Sequence, residues 1–124
     1  MLRQGPIPPF VHGVAEYVLG AFLIVAPFLF GFEDSAAVAV SIVAGVLTLV
    51  IGASSDLPTG LARVIPVGVH FVLDVVIAVA LIAAPFLFRF HDETPPTAVF
   101  IAVGVGGLLL TIGTRFVSDT ARSA

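Results

Sequence analysis

Residues 12–34 of this chain are written a second time, with substitutions, at 70–92. His12-Gly-Val-Ala-Glu16 leads to Ala26-Pro27-Phe28-Leu29-Phe30, then Phe32 and Asp34. His70-Phe-Val-Leu-Asp74 leads in the same way to Ala84-Pro85-Phe86-Leu87-Phe88, then Phe90 and Asp92, at a constant offset of 58. About half of the positions from Ile7/Ile65 onward are identical. Further on, Gly45-x-Leu47-x-Leu49-x-Ile51-Gly52 returns as Gly106-x-Leu108-x-Leu110-x-Ile112-Gly113 at an offset of 61. That spacing assigns three extra residues to the loop around Glu93-Thr94-Pro95-Pro96, where insertion is tolerated. A chain duplicated in this way folds as two copies of one motif.

Each copy contains two apolar stretches, giving four in all, at about 10–30, 36–53, 67–88 and 97–114. Their lengths, roughly 18–22 residues, match a helix crossing a hydrocarbon core. Hydrophobic residues make up 59% of the 124, charged residues 10%, and mean hydropathy is +1.19. A water-soluble domain of this size cannot hide so much apolar surface. The many Val and Ile residues favour strands in water, but a lipid-immersed span must satisfy its own backbone, so helix prevails. The expected fold class is all-α: four transmembrane helices arranged as two tandem parallel hairpin repeats, a 2+2 bundle. Residues 1–124 read as one transmembrane domain, with repeat 1 at about 7–56 and repeat 2 at about 65–119. No small-x-small cleavage site follows the N-terminal residues, so the first span is expected to be retained.

Arginine sets the expected orientation. Arg3, Arg63, Arg115 and Arg122 fall on the side of the termini and the middle linker, whereas Arg89 alone falls on the hairpin tips with Glu33, Asp34, Asp92 and Glu93. The positive-inside rule then places both termini in the cytoplasm, and a multi-pass protein in the cytoplasmic membrane. The absence of cysteine excludes disulfides and thiolate metal sites, and a net charge of −3 offers no footprint for nucleic acid. The bilayer is the expected partner, with a homo-oligomer or a second membrane protein as further candidates.

Three sets of residues stand out. Pro27 and Pro85 each remove a backbone hydrogen bond late in a span, freeing the carbonyls of Leu23 and Leu81 and kinking or ending the helix. If helix resumes beyond them, Phe28 and Phe32 share a face. Ser41, Gly45, Thr48 and Gly52, with Ala102, Gly106 and Gly113 in the second copy, form smooth helix faces suited to close packing. His12 with Glu16, and His70 with Asp74, lie one helical turn apart inside spans one and three. A carboxylate at that depth costs up to about 2.5–3.5 kcal/mol on insertion scales and should turn inward toward a partner. If the copies meet about a pseudo-twofold axis, the two pairs converge. Such a set suits structural ion pairing, proton or substrate handling, or a haem or divalent-metal site. His91, in an acidic outer loop, reads as solvated. Ser35 reads as the cap of the second helix, and Asp56 and Asp119 as caps or terminators.

With Ala26-Pro27-Phe28 and Ala84-Pro85-Phe86 each set before an acidic turn and a glycine-containing helix, the chain resembles the SPW-repeat membrane proteins. Serine and tryptophan of the Ser-Pro-Trp motif are both replaced. The resemblance implies a small integral membrane protein and transfers no catalytic residue and no cofactor. The adopted expectation is a non-enzymatic, structural or interaction role. The main alternatives are a proton-coupled carrier using Glu16 and Asp74, and a haem or metal protein using His12 and His70. The small multidrug-resistance transporters are similar in length and in a first-helix glutamate, but this chain differs in its repeat and its arginine bias.

Overall fold

The computed structural model describes residues 5–114; Arg3, Arg115, Asp119 and Arg122 lie outside them. Four helices follow one another: α1 (Pro9–Leu29), α2 (Ser35–Ala53), α3 (Val67–Leu87) and α4 (Thr94–Gly113). At 19–21 residues each, they are about 30 Å long at 1.5 Å per residue, the thickness of a bilayer core. All four are apolar enough to span it. Their outer faces carry Val18, Val25, Val43, Val50, Val72, Val76, Val79 and Leu109, all exposed. A surface of that kind is at home only against lipid. The protein is a multi-pass membrane protein of two helical hairpins, α1–α2 and α3–α4, whose internal contacts dominate over those between hairpins.

Local chemistry explains each boundary. Prolines at 8–9 and at 66 open α1 and α3, where a missing N–H costs nothing. Asp34, not Ser35, caps α2: its side chain accepts the Ala37 N–H at 3.0 Å. Glu93 is the corresponding residue before α4. Its side chain reaches across instead, accepting the N–H groups of Glu33 (2.6 Å) and Asp34 (3.0 Å) and tying the two tips together.

Helix does not resume after the internal prolines. Phe30 and Phe32 donate to the Ala26 and Pro27 carbonyls, and Phe88 and Phe90 donate to those of Ala84 and Pro85. This closes both helices through a residue of positive φ, Gly31 (64°) or Arg89 (61°). The reversal sends Phe28 and Phe32 in different directions. Phe28 is 73% exposed, while Phe32 and Phe90 turn in to meet the fully buried Phe100. Of the carbonyls freed by proline, that of Leu23 accepts the Ser41 hydroxyl at 2.6 Å.

The copies repeat at 58 between α1 and α3 but at 59, not 61, between α2 and α4. Asp34 corresponds to Glu93, Gly45 to Gly104, and Ser55 to Thr114, so the second tip is longer by one residue. A difference of two residues rotates a helix by about 200°, and the packing face changes accordingly. A Cβ on Gly45 would lie 2.6 Å from the Gly20 carbonyl oxygen, and one on Gly104 would lie 2.9 Å from that of Ala78. A Cβ on Gly106 would meet nothing within 4 Å, and Ala102 is exposed. Within the chain, Gly104 makes the close approach expected of Gly106.

The interior changes character along its length. Toward the tips, Leu23, Ala26, Phe32, Ala37, Leu81, Ala84, Phe90 and Phe100 form an apolar core. Toward the linker it is polar, and residues 54–66 close it off as folded structure. Leu57 is buried, and Val64 and Ile65 donate to the Ser54 carbonyl. Ile7 docks on Gly113 in the equivalent way, at 3.0 Å.

Candidate functional site

His12 lies in the first turn of α1 and Glu16 one turn on, with His70 and Asp74 in the same places on α3. An i, i+4 spacing puts each pair on one helix face. The pseudo-twofold turns the two faces toward each other, and long side chains bridge α1 and α3 where the backbones do not pack closely. All four residues come together, as the sequence suggested they should if the copies met about such an axis. Both histidines are 0% exposed, and the carboxylate side chains are nearly so, at 9%.

The pairing is shared between the copies. His12 Nε2 lies 3.0 Å from Glu16 Oε2 and 2.9 Å from Asp74 Oδ2. His70 Nε2 lies 3.0 Å from Glu16 Oε1 and 3.0 Å from Asp74 Oδ2. Each imidazole therefore faces its own i+4 carboxylate and that of the other repeat. The rings stand edge to face, centroids 5.7 Å apart.

Two hydroxyls fix the histidine tautomers. His12 Nδ1 is 2.8 Å from Thr114 Oγ1, and His70 Nδ1 is 2.6 Å from Ser55 Oγ. Thr114 already donates its proton to the Leu110 carbonyl, and Ser55 donates its own to that of Ile51. A hydroxyl has one proton to give, so toward histidine it accepts, and both Nδ1 atoms carry hydrogen. Both Nε2 atoms then face the carboxylates. With two carboxylate charges and little water, the centre calls for balancing positive charge at or between the Nε2 atoms. The described arginines are elsewhere: Arg63 binds the Gly60 and Pro58 carbonyls, and Arg89 sits at a tip.

Ser55 and Thr114 were not singled out from sequence, nor was Thr111, whose hydroxyl is 3.5 Å from Asp74 Oδ2. Their signal was present in the repeat itself, since Ser55 and Thr114 end equivalent helices at the 59-residue offset. Gly52 occupies the Thr111 position in the first copy, and a Cβ there would sit 3.6 Å from Glu16 Oε1. Of the remaining sequence candidates, Ser41 and Gly45 are buried against α1, and Thr48 bonds back to Ala44. Gly113 lies against Ile7. His91 stacks on Phe86 at the surface. Asp56 donates its backbone N–H to Ile65 within the folded linker.

Beside the carboxylates, toward the bilayer centre, lies a cavity of ≈ 40 Å³ lined by Glu16, Thr48, Asp74 and Thr111 and ending at Leu23 and Leu81. It holds a few waters at most. A porphyrin between the imidazoles has no room, because each Nε2 is already at hydrogen-bond distance from two carboxylate oxygens.

Fold and centre together define a four-span membrane protein built from two hairpin repeats that share one polar core. The chain matches the SPW repeat domain over residues 10–115 and belongs to that family. No curated protein and no solved structure matches it. Ala26, Ala84 and both prolines are buried, while Phe28 and Phe86 are exposed.

Proposed function

We propose that the chain is a structural, non-catalytic membrane element whose two hairpins are clamped together by the His12–Glu16–His70–Asp74 centre. Its orientation follows from arginine placement, with both termini on the cytoplasmic side of the cytoplasmic membrane. One observation carries the reading: each Nε2 contacts one carboxylate of its own helix and one of the other repeat, and each Nδ1 meets a hydroxyl of the other repeat, so the two hairpins share one buried network. Removing one member of a buried pair strands the other and costs about 3–5 kcal/mol.

The clamp is tested by a double-mutant cycle on His12→Ala and His70→Ala, read as unfolding free energy in detergent. Each single substitution destabilises, and the double costs less than the sum by about 1–3 kcal/mol, because the first change already breaks the network. Additive effects at the two positions defeat the clamp.

A second reading, a proton-coupled carrier, draws on the cavity that both carboxylates line. Glu16→Gln and Asp74→Asn then abolish pH-driven uptake into liposomes. Unchanged flux in both variants removes this reading and leaves the clamp.

A further inference from the structure

We infer that the His12–Glu16–His70–Asp74 centre is a binding site for one divalent first-row transition-metal ion of the zinc type, a proposal that rests on the clamp reading and names the charge at its middle. Four side chains each offer one ligand atom, and these atoms lie within 4.8 Å of one another. Two imidazole nitrogens and two carboxylate oxygens form a set that zinc-type ions accept, with ligand bonds of about 2.0–2.1 Å. A tetrahedron of that size has edges of about 3.3 Å, a few tenths of an ångström longer than the 2.9–3.0 Å contacts between nitrogen and oxygen here. Lengthening the nitrogen–oxygen contacts slightly and drawing in the wider ligand pairs, which lie within 4.8 Å, reaches that geometry through side-chain movement alone.

Three further features point the same way. The hydroxyls of Ser55 and Thr114 hold hydrogen on Nδ1, leaving Nε2 as the ligating atom of each ring. That is the arrangement in which a second partner orients a metal-bound histidine. One divalent ion offsets two carboxylate charges, which suits a centre deep among apolar helices. The ≈ 40 Å³ cavity against the carboxylates leaves space for a water as an added ligand. Histidine and carboxylate without cysteine favour zinc and its neighbours over thiophilic ions.

The test uses the full chain purified in mild detergent, stripped with chelator and dialysed against Zn²⁺, with metal content measured by mass spectrometry. Co²⁺ replaces Zn²⁺ for absorption spectroscopy. The expected result is one ion per chain, a rise in Tm with added Zn²⁺, and visible Co²⁺ bands of a four- or five-coordinate site. Ser55→Ala and Thr114→Ala retain all four ligands and should fold, and they weaken Zn²⁺ affinity by about 10–100-fold. His91→Ala leaves uptake unchanged. Helical protein that takes up no Zn²⁺ and shows no Tm shift overturns the metal proposal. If the His12/His70 cycle still couples in that case, the clamp stands on protons alone. Stoichiometric metal with no coupling defeats the clamp instead.

Discussion

At the residue scale, the glycines show what a side chain's absence does. Gly45 lets α2 approach α1 until a Cβ would lie 2.6 Å from the Gly20 carbonyl oxygen, a backbone atom that cannot step aside. Gly106 faces open space, so its missing side chain permits no contact within the chain. Gly45→Ala is therefore expected to destabilise by about 1–3 kcal/mol through overpacking. Gly106→Ala is neutral or stabilises by up to about 1 kcal/mol through helix propensity. Unfolding curves in detergent decide. Equal losses at both positions would mean that Gly106 packs after all, for instance against a second copy. Sequence alone favoured the position that faces open space within the chain over Gly104, for an identifiable reason. The Gly-x-Leu-x-Leu alternation matches by letter at 61, but an alternation of small and apolar residues recurs at several shifts and carries little register. The residues that do fix register, Ser55 with Thr114 and Asp34 with Glu93, are similar in chemistry rather than identical in letter. The site fared better: His12, Glu16, His70 and Asp74 were legible because ionisable residues are rare in apolar spans and these recur in step. Their hydroxyl partners were not legible, because serine and threonine are common at helix ends and nothing local links Thr114 to a histidine on α1.

At the element scale, both hairpin tips close helices through the same reversal with different residues. Gly31 takes φ 64° without strain, and Arg89 takes 61° carrying a full side chain. For a residue with a Cβ the left-handed region costs about 1–2 kcal/mol. Arg89→Gly should raise stability by about 1 kcal/mol, and Gly31→Arg should lower it similarly, both read from detergent unfolding. A stability loss in Arg89→Gly would mean that the guanidinium contributes more than the backbone strain removes. On the proposed orientation Arg89 faces outward, and removing it leaves the arginine bias intact or stronger. The sequence expectation that Phe28 and Phe32 share a face assumed continuous helix past Pro27. The paired hydrogen bonds from Phe30 and Phe32 back to Ala26 and Pro27 show why it fails. The chain reverses at once, so one ring stays at the lipid edge while the other enters the core. The folded state of residues 54–66 was hidden for the opposite reason. Its composition reads as a linker, and only contact with the helices, as where Tyr17 of α1 donates to the Thr59 carbonyl at 2.8 Å, gives it structure.

At the scale of the whole molecule, each end of the bundle joins the two hairpins by a different device. Glu93 spans the tips by accepting two backbone N–H groups from the other copy. The His/carboxylate centre spans the linker end, where His70 Nδ1 meets Ser55 Oγ of the linker. Between them the hairpins touch less closely, and an apolar groove of ≈ 340 Å³ runs between α2 and α3. The architecture requires the linker and the tips to lie on opposite faces of the membrane, since every helix crosses it once. On the proposed orientation, the arginine bias puts the linker on the cytoplasmic face and the tips on the other. Cysteine is absent from the chain, so one introduced thiol reports without background. In intact cells, Asp92→Cys at the tip is expected to react with a membrane-impermeant maleimide. Arg63→Cys on the linker should react only after permeabilisation, although it also removes one of the arginines that set the bias. Leu61→Cys, 84% exposed on the same linker, leaves every arginine in place and must agree with it. Labelling of both linker positions from outside, with the tip protected, would keep the four-span architecture and reverse its orientation. Labelling of tip and linker from the same side would break the architecture, because a chain of four single crossings cannot present both to one compartment.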